Sequence, residues 1–206
     1  MLLAFHILTR NTRINILVLS SFRGALTCLP PLAVVSVLLG QHLFRRDSWD
    51  IRLRVLGGML VESVLWVIPL MALSHVTELV FLTAAGPATQ PSTAGVLDSM
   101  LIGMGGGLYE EFVFHLLAIG IIMLIFVDGM SIPRIPAAIL AVAATAVVFA
   151  FFHTDVGPFS GGDPFSAKDF AFRAAAGLYL GALFITRGFG IAVGAHVAWN
   201  VYIFVM

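Results

Sequence analysis

Gly107-Leu-Tyr-Glu110-Glu111-Phe-Val-Phe-His115-Leu-Leu-Ala-Ile-Gly-Ile-Ile-Met-Leu-Ile-Phe-Val127 is an apolar run with two carboxylates and an imidazole near its start. A helix needs about 20 mostly apolar residues to cross the hydrocarbon core of a bilayer, and this run has that length. Comparable runs occur at roughly 14–41, 55–84, 135–154, 168–186 and 189–206. The expected fold is therefore all-α: a polytopic transmembrane helical bundle of about six spans. Residues 1–95 would supply the N-terminal transmembrane helices and residues 96–206 a four-helix core. Pro30-Pro31 should kink the first span, and Arg23 should snorkel to an interface. Residues 96–106 read as a short amphipathic or re-entrant piece ahead of the third span.

Composition agrees. Of the 206 residues, 60% are hydrophobic and 11% charged, with a mean hydropathy of +1.03. A soluble domain runs about 45–50% apolar and about 25% charged. These values exclude a soluble globule and a disordered chain. The 11 basic and 11 acidic residues cancel, so no long-range field exists to draw nucleic acid. The single cysteine, Cys28, excludes an intrachain disulfide and a Cys-rich zinc module. The N-terminus lacks a basic n-region and an early small-residue cleavage site, so no cleaved signal peptide is expected, and the first residues read as an interfacial helix. Arg45, Arg46, Arg52 and Arg54, then Arg134, then Arg187, fall on one side of a six-span chain. The positive-inside rule makes that side cytoplasmic; Arg10 and Arg13 argue the other way.

Polar groups inside apolar runs carry the functional information. A charge at the bilayer centre costs about 2.5–3.5 kcal/mol on insertion scales, so such groups pair, line a wet cavity or do chemistry. Glu110 and Glu111 are adjacent and point about 100° apart on a helix, so they serve different neighbours. Glu111 and His115, four apart, can touch. The fourth run ends in Phe149-Ala-Phe-Phe-His153, and the sixth carries His196-Val-Ala-Trp-Asn200 on one helical face. Taken singly, each has a plainer reading: an interfacial pair, a helix-end histidine, a hydrogen bond between helices. Glu62, Glu78, His75 and Asp98 read as interface or cavity-lining residues, and His6 and His42 as interfacial. Gly177 and Gly181 read as a packing face. Gly103–Gly107 has no following Lys-Ser/Thr, so it is no phosphate loop.

Together the motifs set two carboxylates, two imidazoles and a carboxamide on three spans. Such a set can perform hydrolysis. A carboxylate takes a proton from water, an imidazole orients that water, and further donors meet a developing oxyanion.

Glu110-Glu111-x-x-x-His115, Phe149-x-x-x-His153 and His196-x-x-x-Asn200, in this order, resemble the marks of the CPBP family. That family comprises the CAAX prenyl proteases and the bacteriocin-processing or self-immunity proteins, also called Abi. The resemblance covers roughly residues 100–206. It implies an intramembrane endopeptidase with Glu110 as general base, His153 helping to position the water, and His196 and Asn200 stabilising the oxyanion. Glu111 would give electrostatic support, with His115 as its partner. Where the family has Arg, this chain has His115, which pairs with a carboxylate as a cation only when protonated. Family members have been described both as metalloproteases and as metal-independent glutamate proteases. No cofactor is expected here, although Glu110, His153 and His196 could together hold zinc. The expected partners are the lipid bilayer and a membrane-associated or prenylated-like peptide or protein substrate entering from it. The short chain resembles a prokaryotic, multi-pass cell-membrane member. No oligomeric state follows from the sequence. Two other classes stand beside this one: a non-catalytic immunity or scaffold protein on the same fold, and a small proton-linked transporter.

Overall fold

The computed structural model describes residues 32–46, 48–81, 95–156 and 163–205. The chain divides into two compact units, Met1–Asp50 and Ile51–Met206. The first contains helix α1 (Leu32–Arg45) and packs the His42 ring against Trp49 at 4.0 Å. Most of the expected first span, with Arg23, Cys28, His6 and the N-terminal residues, lies outside the described residues.

The described residues of the second unit are helical, with an isolated bridge between Thr154 and Asp163. Helices α2 (Leu53–Leu65) and α3 (Val67–Val80) meet at Trp66. Pro69 causes that joint, because it has no N–H for the Leu65 carbonyl and its ring crowds the preceding turn. Tyr179 donates its hydroxyl to the Trp66 carbonyl at 2.8 Å. Helix α4 (Val96–Glu110) continues as a π-helical segment, π1 (Glu111–Ile119). One α-helical turn, α5 (Gly120–Met123), and a second π segment, π2 (Leu124–Gly129), complete it. Helices α6 (Arg134–Phe152), α7 (Ala167–Arg187) and α8 (Phe189–Val205) follow. Ser166 caps α7 by accepting from the Asp169 N–H, and Gly188 at φ 88° makes the turn into α8, a conformation that suits glycine.

Among the described residues, four helices are long and apolar enough to cross a membrane: Leu53–Val80, Met100–Gly129, Arg134–Phe152 and Ala167–Arg187. Leu32–Arg45 and Phe189–Ile203 are shorter apolar helices. Residues 96–106 are not a separate re-entrant piece. They are the start of α4, which runs unbroken into the third span. The glycines disfavour a helix only mildly, by about 1 kcal/mol each relative to alanine. No proline interrupts them, and Met100, Leu101, Ile102 and Met104 keep the segment apolar.

The packing is that of a protein dissolved in lipid. Leu60, Ile68, Leu79, Ile102 and Ile139 point outward and are exposed, whereas Ala137, Ala141, Ala146 and Ala150 of α6 are fully buried. Small residues let helix backbones approach where lipid gives no hydrophobic drive to associate. A Cβ added at Gly177 of α7 would stand 3.1 Å from the Ala146 Cα. Val67, Leu70, Leu180, Leu183, Ile191 and Trp199 fill the core between α3, α7 and α8.

Of Gly105, Gly106 and Gly107, the last alone is crowded. A Cβ there would meet Asn200 Nδ2 at 3.0 Å and His196 Cδ2 at 3.5 Å, whereas Gly105 and Gly106 have nothing within 4 Å. Gly107→Val should therefore cost about 1–3 kcal/mol by overpacking, read as a lowered thermal midpoint in detergent. Gly105→Val should leave that midpoint nearly unchanged; equal shifts in the two variants would contradict this packing.

Candidate active site

The junction between α4 and π1 sets the two adjacent carboxylates apart. Glu111, the first π1 residue, is fully buried, and so is His115. Glu111 Oε2 lies 2.7 Å from His115 Nδ1, and its Oε1 lies 2.8 Å from His196 Nδ1 on α8. His115 Nε2 lies 3.3 Å from the Gly177 carbonyl of α7. A buried carboxylate is tolerable only when paired and hydrogen-bonded, and Glu111 has both oxygens engaged. A π segment at this place matches the usual occurrence of π-bulges at functional sites.

Glu110 points elsewhere and keeps 27% of its side chain exposed. Its Oε1 is 3.5 Å from His153 Nε2, and its Oε2 is 3.5 Å from His196 Nε2. His153, immediately after α6, donates Nδ1–H to the Phe149 carbonyl at 2.8 Å, because a carbonyl can only accept. Both rings thus engage the protein through Nδ1 and turn Nε2 toward Glu110. The Phe149 ring lies between them, 4.6 Å from His153 and 6.1 Å from His196. One residue beyond its span, His153 feels opposed influences. Burial alone would lower its pKa, but the Glu110 carboxylate and the Phe149 carbonyl outweigh burial and hold it above the ordinary histidine value. Asn200 donates from Nδ2 to the Gly103 carbonyl at 2.8 Å, tying α8 to α4.

These groups open on a cavity of about 290 Å³. Glu110, His153, His196 and Asn200 line it, Arg173 and Asp169 add charge from α7, and Leu70, Phe172 and Trp199 supply apolar wall. A larger cavity of about 720 Å³ lies between α2, α3 and α8, but its lining holds no acid, histidine or basic residue. The structure therefore brings Glu110, Glu111, His115, His153, His196 and Asn200 together. Glu62 stands apart from them and lines neither cavity. It holds Arg187 through two bonds of 2.6 and 2.8 Å and accepts from Trp66 Nε1 at 3.1 Å. His75 lies 3.8 Å from Glu78 on an open face, and Asp98 is exposed.

The sequence reading missed Arg173. Its Nη1 donates to the His153 carbonyl at 3.0 Å and its Nη2 to Asp163 Oδ2 at 2.7 Å, fixing the chain at His153. The signal was present, since Phe172-Arg173 is a cation inside an apolar run, the same anomaly that singled out Glu110.

Glu110, His153 and His196 are donors of a kind that zinc accepts. Among the described residues, however, no three His, Cys, Asp or Glu side chains are arranged to hold a metal ion.

Comparison with known proteins bears on the same segment. A family model described as type II CAAX prenyl endopeptidase, Rce1-like, matches residues 91–202, more than half of the chain and every residue of the cluster. No curated protein and no solved structure matches it. With its site residues inside that matched stretch, the chain belongs to the Rce1-like family of type II CAAX prenyl endopeptidases, a protease family.

Proposed function

We propose that the protein is a multi-pass intramembrane endopeptidase that hydrolyses a peptide bond with water activated by Glu110, without a metal. The observation that carries this reading is the convergence of the Glu110 carboxylate with two Nε2 atoms, each at 3.5 Å, on the wall of a cavity. A water bound among these three groups gives its proton to Glu110 as its oxygen attacks the scissile carbonyl carbon. His153 orients the water. His196 Nε2 accepts the water's second hydrogen, and the second Nδ2 hydrogen of Asn200 faces the oxyanion. Glu110 then passes its proton to the leaving nitrogen as the C–N bond breaks, which yields an acid and an amine and restores the carboxylate.

Family membership and the apolar surroundings support a peptide or protein substrate that is membrane-associated or prenylated-like and reaches the cavity from the bilayer. A prokaryotic cell membrane is the proposed setting.

Glu110→Gln keeps the shape of the side chain and removes the base. With candidate membrane peptides, its kcat should fall by about 10²–10⁴-fold, the usual share of general base catalysis. His153→Ala should lose at least tenfold, the low end of losses on removing an orienting partner. Cleavage by both variants at the wild-type rate would refute the reading. The metal-free part has its own check. Cleavage should persist in excess 1,10-phenanthroline, and inhibition reversed by added zinc would contradict it.

A further inference from the structure

The buried side of the site holds a chain of three hydrogen bonds whose protons can be counted. His196 Nδ1 meets Glu111 Oε1 at 2.8 Å, Glu111 Oε2 meets His115 Nδ1 at 2.7 Å, and His115 Nε2 meets the Gly177 carbonyl at 3.3 Å. The carbonyl only accepts, so His115 Nε2 carries a hydrogen. The contact between His115 Nδ1 and Glu111 requires a second hydrogen between them, and the contact with His196 a third. Three hydrogens on one carboxyl and two imidazoles make a unit of zero net charge. Removing one leaves either a lone pair facing an oxygen or an uncompensated negative charge, in a place where Glu111 and His115 have no solvent contact. An arginine beside Glu111 would never face this loss, because guanidinium does not deprotonate in proteins. A histidine does.

The setting holds the His115 ring in place. A Cβ at Gly181 would stand 3.3 Å from its Cδ2 and 3.4 Å from its Nε2, with Val142 of α6 alongside, so α7 closes on the ring with only glycine to spare. From α7 the ring also meets Phe184, at 6.4 Å between centroids. The ionisable groups around it are Glu111 on its own helix and, through Glu111, His196 of α8. Among the described residues no other acid or base bonds to it.

We propose that His115 is a positioning residue for this site: its second proton keeps Glu111 a carboxylate, and that carboxylate holds His196 with Nε2 toward Glu110. The proposal rests on the hydrolytic reading of Glu110 and adds an alkaline limit to it. Above the pH at which His115 sheds the proton, His196 loses its anchor and turnover falls, whereas substrate binding in the cavity is untouched.

The test is ¹⁵N NMR of the histidine rings in the full chain in lipid nanodiscs, beside kcat and KM over the same pH range. The His115 signals are assigned through contact with a ¹³C-labelled glycine carbonyl. Both His115 nitrogens should be protonated at the pH of fastest cleavage. On the alkaline side kcat should fall over the interval in which the second proton leaves, with KM constant. His115→Gln can still donate a hydrogen bond but cannot carry charge; its kcat should be at least tenfold lower and should lack that alkaline limb. A neutral His115 ring at the pH of fastest cleavage overturns the proposal, and so does an alkaline fall that persists unchanged in His115→Gln. The wild-type spectrum decides even where that variant fails to fold. Wild-type-like cleavage by Glu110→Gln would instead sink the hydrolytic reading, and the His115 proton count would still be read separately.

Discussion

A carboxylate with no water around it must find its partners inside the protein, and Glu111 takes both of its from imidazoles. One comes from its own helix and the other from α8, 85 residues further along the chain. This requirement organises the site. It fixes the rotation of the third span, because Glu111 must face α8. It fixes the His196 tautomer, and with it the nitrogen left for Glu110. It also forces α7 to come close enough for the Gly177 carbonyl to receive His115. A neighbouring carboxylate on the same helix then has one direction left, outward into the cavity.

The bundle makes these contacts affordable by how it packs. Alanines of α6 and glycines of α7 bring backbones together, and the long apolar side chains are turned out toward lipid. In such a setting a polar group needs a partner that can be named. Glu62 is matched by Arg187, Glu111 by two histidines, and Arg173 by Asp163 and the His153 carbonyl. Glu110 is the exception. Its contacts at 3.5 Å are longer than a good hydrogen bond, and it sits where the cavity opens. The least satisfied acid of the cluster is thus the one placed to act on something else.

Much of this was readable before any coordinates. The apolar runs read around 55–84, 135–154 and 168–186 hold the helices Leu53–Val80, Arg134–Phe152 and Ala167–Arg187, because apolar length is decisive in a bilayer. Spacing of four joined Glu111 to His115, and divergence of adjacent residues sent Glu110 elsewhere. What escaped was relational. Gly107 differs from Gly105 only in what stands opposite, and no local rule reveals Asn200 there. The bond from Glu111 to His196 joins distant segments, so spacing could not show it. The π-helical stretch at Glu111–Ile119 has no sequence mark comparable to proline or glycine, and the Gly-rich start of α4 resembles a break although its backbone continues.

The measurement nearest to the centre of this account is a double-mutant cycle between Glu111 and His196, using Glu111→Gln and His196→Gln, with unfolding followed in detergent. A buried hydrogen bond to a charged group should appear as a coupling of about 1.5–3 kcal/mol. Effects that simply add, within about 0.5 kcal/mol, would mean that the two side chains do not hold each other, and the arrangement around Glu110 would then lack its foundation.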